Sequence, residues 1–90
     1  MEFEFDAEKS ESNLSKHGID FIEAQLLWAD QARHIIEARS FPESRFALIA
    51  KHKEKFWTAI YTTREDRIRI ISVRRSRDEE RYIYDFSRGV

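Results

Sequence analysis

Residues 45–75 contain three apolar segments separated by short polar connections, and this pattern most constrains the fold. It predicts strands over 45–51, 55–62 and 67–75 with short turns between them. The middle strand is apolar on both faces, which is typical of a central position in a sheet. In the last strand the apolar residues change phase at Ile70-Ile71, which predicts a β-bulge there. We therefore expect antiparallel strands at the centre of the protein.

Periodicity and capping residues predict the other elements. Asp6 is the expected N-cap of a first helix, and Gly18 its left-handed stop. Two patterns typical of capping boxes, Asp20 with Glu23 and Ser76 with Glu79, begin two further helices. The remaining predicted bounds are a strand at 2–6, helices at 7–17, 20–30 and 76–86, and a strand at 33–39. The order β-α-α-β-β-β-β-α predicts an α+β fold, with an antiparallel β-sheet packed against helices in two layers.

Composition limits the kind of protein that this chain can be. Its 90 residues fit one domain, 1–90. The absence of cysteine excludes disulfides, thiolate zinc sites and a thiol nucleophile. Two glycines cannot build a glycine-rich phosphate loop, and the three histidines stand apart from one another. We therefore expect no cofactor and no metal. We also expect no membrane contact, because no apolar run is long enough to span a bilayer.

Charge is unevenly distributed along the chain. Residues 1–45 hold five lysines and arginines against ten acidic residues, whereas residues 46–90 hold eleven against seven. Six arginines fall between positions 64 and 77: Arg64, Arg67, Arg69, Arg74, Arg75 and Arg77. Such asymmetry indicates an anionic partner, although a packed acidic half could also neutralise the basic half within one domain.

The arginines suggest phosphate chemistry. A guanidinium presents a planar fork of donors that matches phosphate oxygens, and several arginines at the end of one strand could converge on one phosphate. Metal-free RNA cleavage needs a base for the 2′-hydroxyl, positive charge for the transition state and an acid for the leaving oxygen. Arginine supplies the second function, and the candidates for proton transfer are His17, Lys16 and Glu80.

Structural explanations compete with these roles. Arg67 and Arg69 could line a solvated strand face, and the next three arginines could pair with the acidic residues 78–80. Lys16 and His17 could simply end a helix. The tryptophans Trp28 and Trp57 are expected in the core rather than as platforms for base stacking.

Two motifs together resemble the BrnT family of ribonuclease toxins. The first is Phe3-Glu4-Phe5-Asp6 followed by Asn13 and Lys16-His17-Gly18-Ile19, with Phe21 beyond it. The second is Tyr61-Thr62, then the segment from Asp66 to Arg74, then Glu80-Arg81 and Tyr84. The spacing of the Lys-His-Gly motif from the arginine strand makes the resemblance fairly specific.

The resemblance implies a RelE-like fold, cytoplasmic RNA cleavage that arrests translation, and an antitoxin encoded beside the toxin. The expected antitoxin is a BrnA-like ribbon-helix-helix protein, and promoter DNA is expected to be bound only through the complex. The catalytic residues that the resemblance implies are Arg64, Arg67 and Arg74, with Lys16 and His17 nearby. Glu80 is added to them as the further candidate for proton transfer. We expect additional RNA contacts from the other three arginines of the segment, namely Arg69, Arg75 and Arg77. The alternative is a non-catalytic module that binds an antitoxin or nucleic acid and acts in promoter repression.

Overall fold

A computed structural model describes residues 1–88, except for the side chain of Arg88, so residues 89–90 of the predicted domain lie outside the description. The elements follow the predicted order, but the helix predicted at 20–30 is a short α-helix followed by a 3-10 helix at Gln25–Ala29. The helices are α1 (Ala7–His17), α2 (Phe21–Ala24) and α3 (Asp78–Arg88). The strands are β1 (Glu2–Glu4), β2 (His34–Arg39), β3 (Arg45–His52), β4 (Lys55–Arg64) and β5 (Arg67–Arg75).

The five strands form one mixed sheet in the order β1-β5-β4-β3-β2. β2 to β5 are antiparallel, as predicted, and the two-residue turns at 53–54 and 65–66 have positive φ at all four positions. This geometry matches the twist of a tight hairpin. The expectation of a wholly antiparallel sheet is wrong at β1, which runs parallel to β5. The local sequence of β1 encodes its alternation but not the direction of a partner more than 60 residues away.

The main core lies between one face of the sheet and residues 19–28, which include α2 and most of the 3-10 helix. Phe21, Leu27 and Trp28 pack there with Leu48 and Val73, among other residues. Trp28 and Trp57 are 8 % and 6 % exposed, which confirms that they are core residues.

α3 packs on the opposite face of the sheet, so the predicted two layers are in fact three. The Tyr84 ring meets the Phe56 ring edge-on, with centroids 5.3 Å apart. The same face carries Ile49 and Thr58, which are fully buried. A second layer of helix is needed because the central strands are apolar on both faces.

Helix ends follow the predicted capping residues with one shift. The Asp6 carboxylate accepts from the backbone N–H groups of Glu8 and Lys9, and Gly18 adopts φ 82° after α1. The Asp20 carboxylate caps α2 by accepting from the Glu23 backbone N–H. The predicted start of α3 at Ser76 is one or two residues early. Glu80, rather than Glu79, accepts from a backbone N–H ahead of the helix, that of Arg77.

The predicted bulge in β5 is confirmed. Ile60 pairs with Ser72 whereas Tyr61 pairs with Ile70, so Ile71 is the additional residue. One additional residue reverses the alternation of side chains. It allows Ile68, Ile70 and Val73 all to face the main core, while Arg67, Arg69 and Arg74 lie on the other face.

Candidate active site

Four arginines share the sheet face opposite the main core, and we call this surface the arginine face: Arg64, Arg67, Arg69 and Arg74. Arg64 on β4 pairs in register with Arg67 on β5, next to the turn that joins the strands. Arg74 lies seven residues beyond Arg67, or about 20 Å along the strand. The arginines therefore form two separate groups and do not converge on a single phosphate.

The group beside the β4–β5 turn is partly neutralised by β1. An Arg69 guanidinium nitrogen lies 3.0 Å from a Glu4 carboxylate oxygen. Arg67 lies 3.7 Å from Glu4 and 3.8 Å from Glu2. Arg64 is exposed and has no ion pair among residues 1–88. Arg64 is therefore the cation of this group that is most available to an external anion.

At the other end of β5, Arg74 is held by Glu80 in a bidentate ion pair. Nη1 and Nη2 each donate to a different carboxylate oxygen, both at 2.8 Å. Nη1 also lies 3.4 Å from the Arg75 carbonyl oxygen. The Arg74 side chain keeps one quarter of its surface exposed. A fork fixed in this way costs little further entropy when it binds an anion.

Glu80 is surrounded by donors. Its Oε1 accepts from the Thr58 hydroxyl at 2.9 Å and from the Arg77 backbone N–H at 2.8 Å, in addition to Arg74. The hydrogen bonds from Arg74 are the main cause that lowers the pKa of Glu80 to about 2, against the opposing effect of burial. Glu80 is therefore ionised at neutral pH, and this environment favours an anchor for Arg74 over a group that exchanges protons.

Arg75 and Arg77 are both exposed, and Arg75 does not join Arg74 on the arginine face. Arg75 pairs in register with Trp57, and its guanidinium lies 5.5 Å from the centre of the Trp57 ring. This places Arg75 on the main-core face. Arg77 contributes its backbone N–H to Glu80.

Lys16 and His17 line a groove of about 200 Å³ between α1 and the outer edge of β5. Both are exposed in the last turn of α1, as their position before Gly18 predicts. The groove also includes Ile71 and Ser72 at the bulge. Ser72 lies on the same face as Arg74, two residues or about 7 Å away along the strand. The structure thus brings the Lys-His pair towards Arg74 and leaves it distant from the turn that carries Arg64.

Asn13 is a buried residue whose role the motif alone did not reveal. Its side-chain N–H₂ donates to the carbonyl oxygens of Ile19 and Val73, at 2.8 and 2.9 Å. Its side-chain oxygen accepts from the Val73 backbone N–H. The amide therefore forms the hydrogen bonds that the β5 backbone lacks beyond the end of β1. It also holds α1, and with it Lys16 and His17, against the strand.

Two other polar residues have structural roles that the sequence analysis did not identify. Asp30 accepts from the backbone N–H groups of Ala32 and Lys51 and from the Tyr84 hydroxyl. Thr58 lies beneath Glu80 with no exposed surface. The only sequence signal for Thr58 was a hydroxyl in a mostly apolar central strand, and it did not indicate a partner.

Within residues 1–88, no three histidine or acidic side chains lie close enough together to hold a metal ion. None of the helices in this part of the chain is long and apolar enough to cross a membrane.

Comparison with known families connects this geometry to a function. A comparison with curated proteins gives no significant match. A family model described as the ribonuclease toxin BrnT, of type II toxin–antitoxin systems, matches residues 5–80. The match includes α1, all of β5 and Glu80, and membership in such a system implies an antitoxin partner. The chain therefore belongs to the BrnT family of type II toxin–antitoxin ribonuclease toxins.

Proposed function

We propose that this protein is an endoribonuclease that cleaves RNA without a metal ion and thereby arrests translation, with Arg74 as its main catalytic residue. The observation that carries the proposal is the bidentate Arg74–Glu80 pair at 2.8 Å. It fixes a partly exposed guanidinium at the end of a basic strand, and the family match supports ribonuclease chemistry.

Arg74 retains capacity to bind phosphate while it is held. A guanidinium has five N–H donors, and three of those on Arg74 have partners within the protein. Nε and one N–H of Nη2 remain for phosphate oxygens. Fixed donors of this kind stabilise the charge of a pentavalent transition state because they need no reorganisation during the reaction.

Proton transfer is assigned to the groove between α1 and β5. His17 is our candidate for the group that takes the 2′-hydroxyl proton or protonates the leaving oxygen, because an imidazole can do either. Lys16 supplies positive charge beside it. Glu80, ionised and hydrogen-bonded to Arg74, positions the guanidinium.

The arginines near the β4–β5 turn are assigned to flanking RNA. Arg64 and Arg67 lie about 20 Å from Arg74 along the strands, too far to share its phosphate, and Arg69 is paired with Glu4. A single RNA strand that follows β5 would contact both groups. Arg75 and Arg77 would contact RNA that leaves the face near α3.

The partner proposals follow from family membership. We propose a BrnA-like ribbon-helix-helix antitoxin, contact with promoter DNA only through that complex, a cytoplasmic location and a RelE-like fold for residues 1–90.

RNA cleavage in EDTA tests the proposed activity. Arg74→Ala is expected to reduce the cleavage rate at least about 100-fold, since it removes the main donor to the transition state. Arg74→Lys should restore little, because a lysine cannot make a bidentate contact. The matched control is Arg39→Ala, an exposed arginine on the far edge strand β2. Full activity of Arg74→Ala, or no cleavage by the wild-type protein, would contradict the proposal.

A non-catalytic module is the second candidate. The observation that favours it is the internal pairing of Arg67, Arg69 and Arg74 with acidic residues, which leaves less charge for RNA. RNA binding without turnover in the same assay would support this candidate.

A further inference from the structure

Thr58 is a buried hydroxyl in the central strand β4, and it lies directly beneath the Arg74–Glu80 pair. Its Oγ1 is 2.9 Å from Glu80 Oε1 and 2.8 Å from the Ser76 Oγ. Thr58 has no exposed surface, so it cannot touch RNA. Ser76 is itself tied to the sheet, because its backbone N–H donates to the Phe56 carbonyl oxygen at 2.9 Å.

The direction of these hydrogen bonds follows from counting protons. Glu80 is ionised and can only accept, so the single hydroxyl proton of Thr58 is donated to Glu80. Thr58 Oγ1 must then accept the hydroxyl proton of Ser76. The result is a chain of donors that runs from Ser76 through Thr58 to Glu80, while Arg74 donates to the same carboxylate from above.

We propose that Thr58 is a positioning residue for Arg74: its hydroxyl fixes Glu80, and Glu80 fixes the guanidinium. This inference rests on the proposed ribonuclease function. A residue in the middle of a five-stranded sheet is a more rigid reference than the first turn of α3, to which Glu80 belongs. Loss of the hydroxyl would let Glu80 and Arg74 move together, away from the geometry that the transition state needs.

The experiment compares two substitutions of Thr58 in single-turnover RNA cleavage. Thr58→Val is nearly isosteric and removes only the hydroxyl, and we expect it to lower the rate about tenfold. The apparent affinity for RNA should stay within about twofold of the wild-type value, because Thr58 is buried and cannot contact the RNA. Thr58→Ser keeps the hydroxyl and should restore the rate to within about twofold of wild type.

The matched control is Thr62→Val in the same strand. Thr62 is also buried, and its hydroxyl donates to the Ser44 carbonyl oxygen at 2.7 Å, away from Glu80. The Thr62→Val protein should lose about as much unfolding free energy as the Thr58→Val protein does, but its cleavage rate should stay at the wild-type value. An equal loss of rate in both variants would show that Thr58 acts only through stability, which would overturn the inference.

A double-mutant cycle tests whether Thr58 acts through Arg74. In an Arg74→Lys background, Thr58→Val should reduce the rate by less than about twofold, because the bidentate fork is already lost. A full tenfold effect in that background would overturn the inference.

A spectroscopic measurement separates failure of the inference from failure of the proposed function. We expect separate NMR signals for the Arg74 Nη–H protons in wild type and Thr58→Ser, and averaged signals in Thr58→Val, where the guanidinium would rotate freely. If the wild-type protein cleaves no RNA, the proposed function fails. Unchanged Arg74 signals in Thr58→Val would overturn the positioning role, whatever the activity.

Discussion

At the scale of single residues, Glu80 shows how environment determines the use of a carboxylate. From the sequence it was a candidate for proton transfer, together with His17 and Lys16. In the structure it accepts four hydrogen bonds, two of them from Arg74, and its pKa falls to about 2. A carboxylate this acidic stays charged across the physiological pH range, so its energetic role is to hold Arg74.

Glu80→Gln is predicted to alter the pH dependence of stability. The pKa of Glu80 is lowered from 4.5 to about 2 in the folded protein, so its stabilisation is fully present above about pH 4.5. It disappears as pH falls towards 2. The difference in unfolding free energy between wild type and Glu80→Gln should shrink by up to roughly 3 kcal/mol between pH 7 and pH 2.

Urea denaturation at several pH values measures this difference. Glu79→Gln is the matched control, because Glu79 is an exposed neighbour in the same turn of α3. A wild-type advantage over Glu80→Gln that is the same at pH 7 and pH 2 would contradict the assigned pairing.

At the scale of elements, β5 depends on a side chain to complete its outer edge. β1 pairs with β5 only as far as Arg69, which leaves the backbone groups of Val73 without a strand beside them. Asn13 supplies both a donor and acceptor there. An unpaired buried backbone group costs free energy, so this amide replaces what a longer β1 would contribute.

Asn13→Ala is therefore predicted to destabilise the protein by about 2–4 kcal/mol, because three buried hydrogen bonds are lost. Urea unfolding at neutral pH measures the effect. Ser15→Ala, at an exposed position of α1, should change stability by less than about 0.5 kcal/mol. A loss below 1 kcal/mol in Asn13→Ala would mean that water satisfies Val73 as well as Asn13 does.

At the scale of the whole molecule, the structure shows one of the two explanations for the uneven charge, which is neutralisation within the domain. The acidic strand β1 lies beside β5, and its glutamates neutralise part of the basic segment. The remaining positive charge stands at the two ends of the arginine face, on Arg64 and around Arg74. An extended anion fits this distribution better than a single phosphate does.

Arg64→Ala is predicted to weaken RNA binding and to make the binding less dependent on salt concentration. Loss of one phosphate contact should reduce the slope of log affinity against log salt by about 0.7 for single-stranded RNA. Fluorescence anisotropy at several salt concentrations measures the slope, with Arg39→Ala as the control. An unchanged slope would place the RNA away from the β4–β5 turn.

Local sequence patterns predicted much of the secondary structure. Alternation gave the strands 45–51, 55–62 and 67–75 nearly as observed, and the phase change gave the bulge at Ile71. Asp6 and Gly18 bounded α1 correctly because capping depends on neighbouring backbone groups. The start of α3 was misplaced because Ser76 and Glu79 have the spacing of a capping box, although Glu80 accepts from the Arg77 backbone N–H instead. Ser76 instead hydrogen-bonds to Thr58, a partner 18 residues away.

By itself, the sequence determined the order of elements, the central strand that is apolar on both faces and the bulge in the last strand, since these depend on side-chain chemistry at short range. Tertiary structure alone decided the parallel direction of β1, the helix on the second sheet face and the separation of Arg64 from Arg74. It also joined Thr58, Ser76 and Glu80 beneath Arg74. These features arise from pairings between distant segments, whose geometry no local pattern encodes.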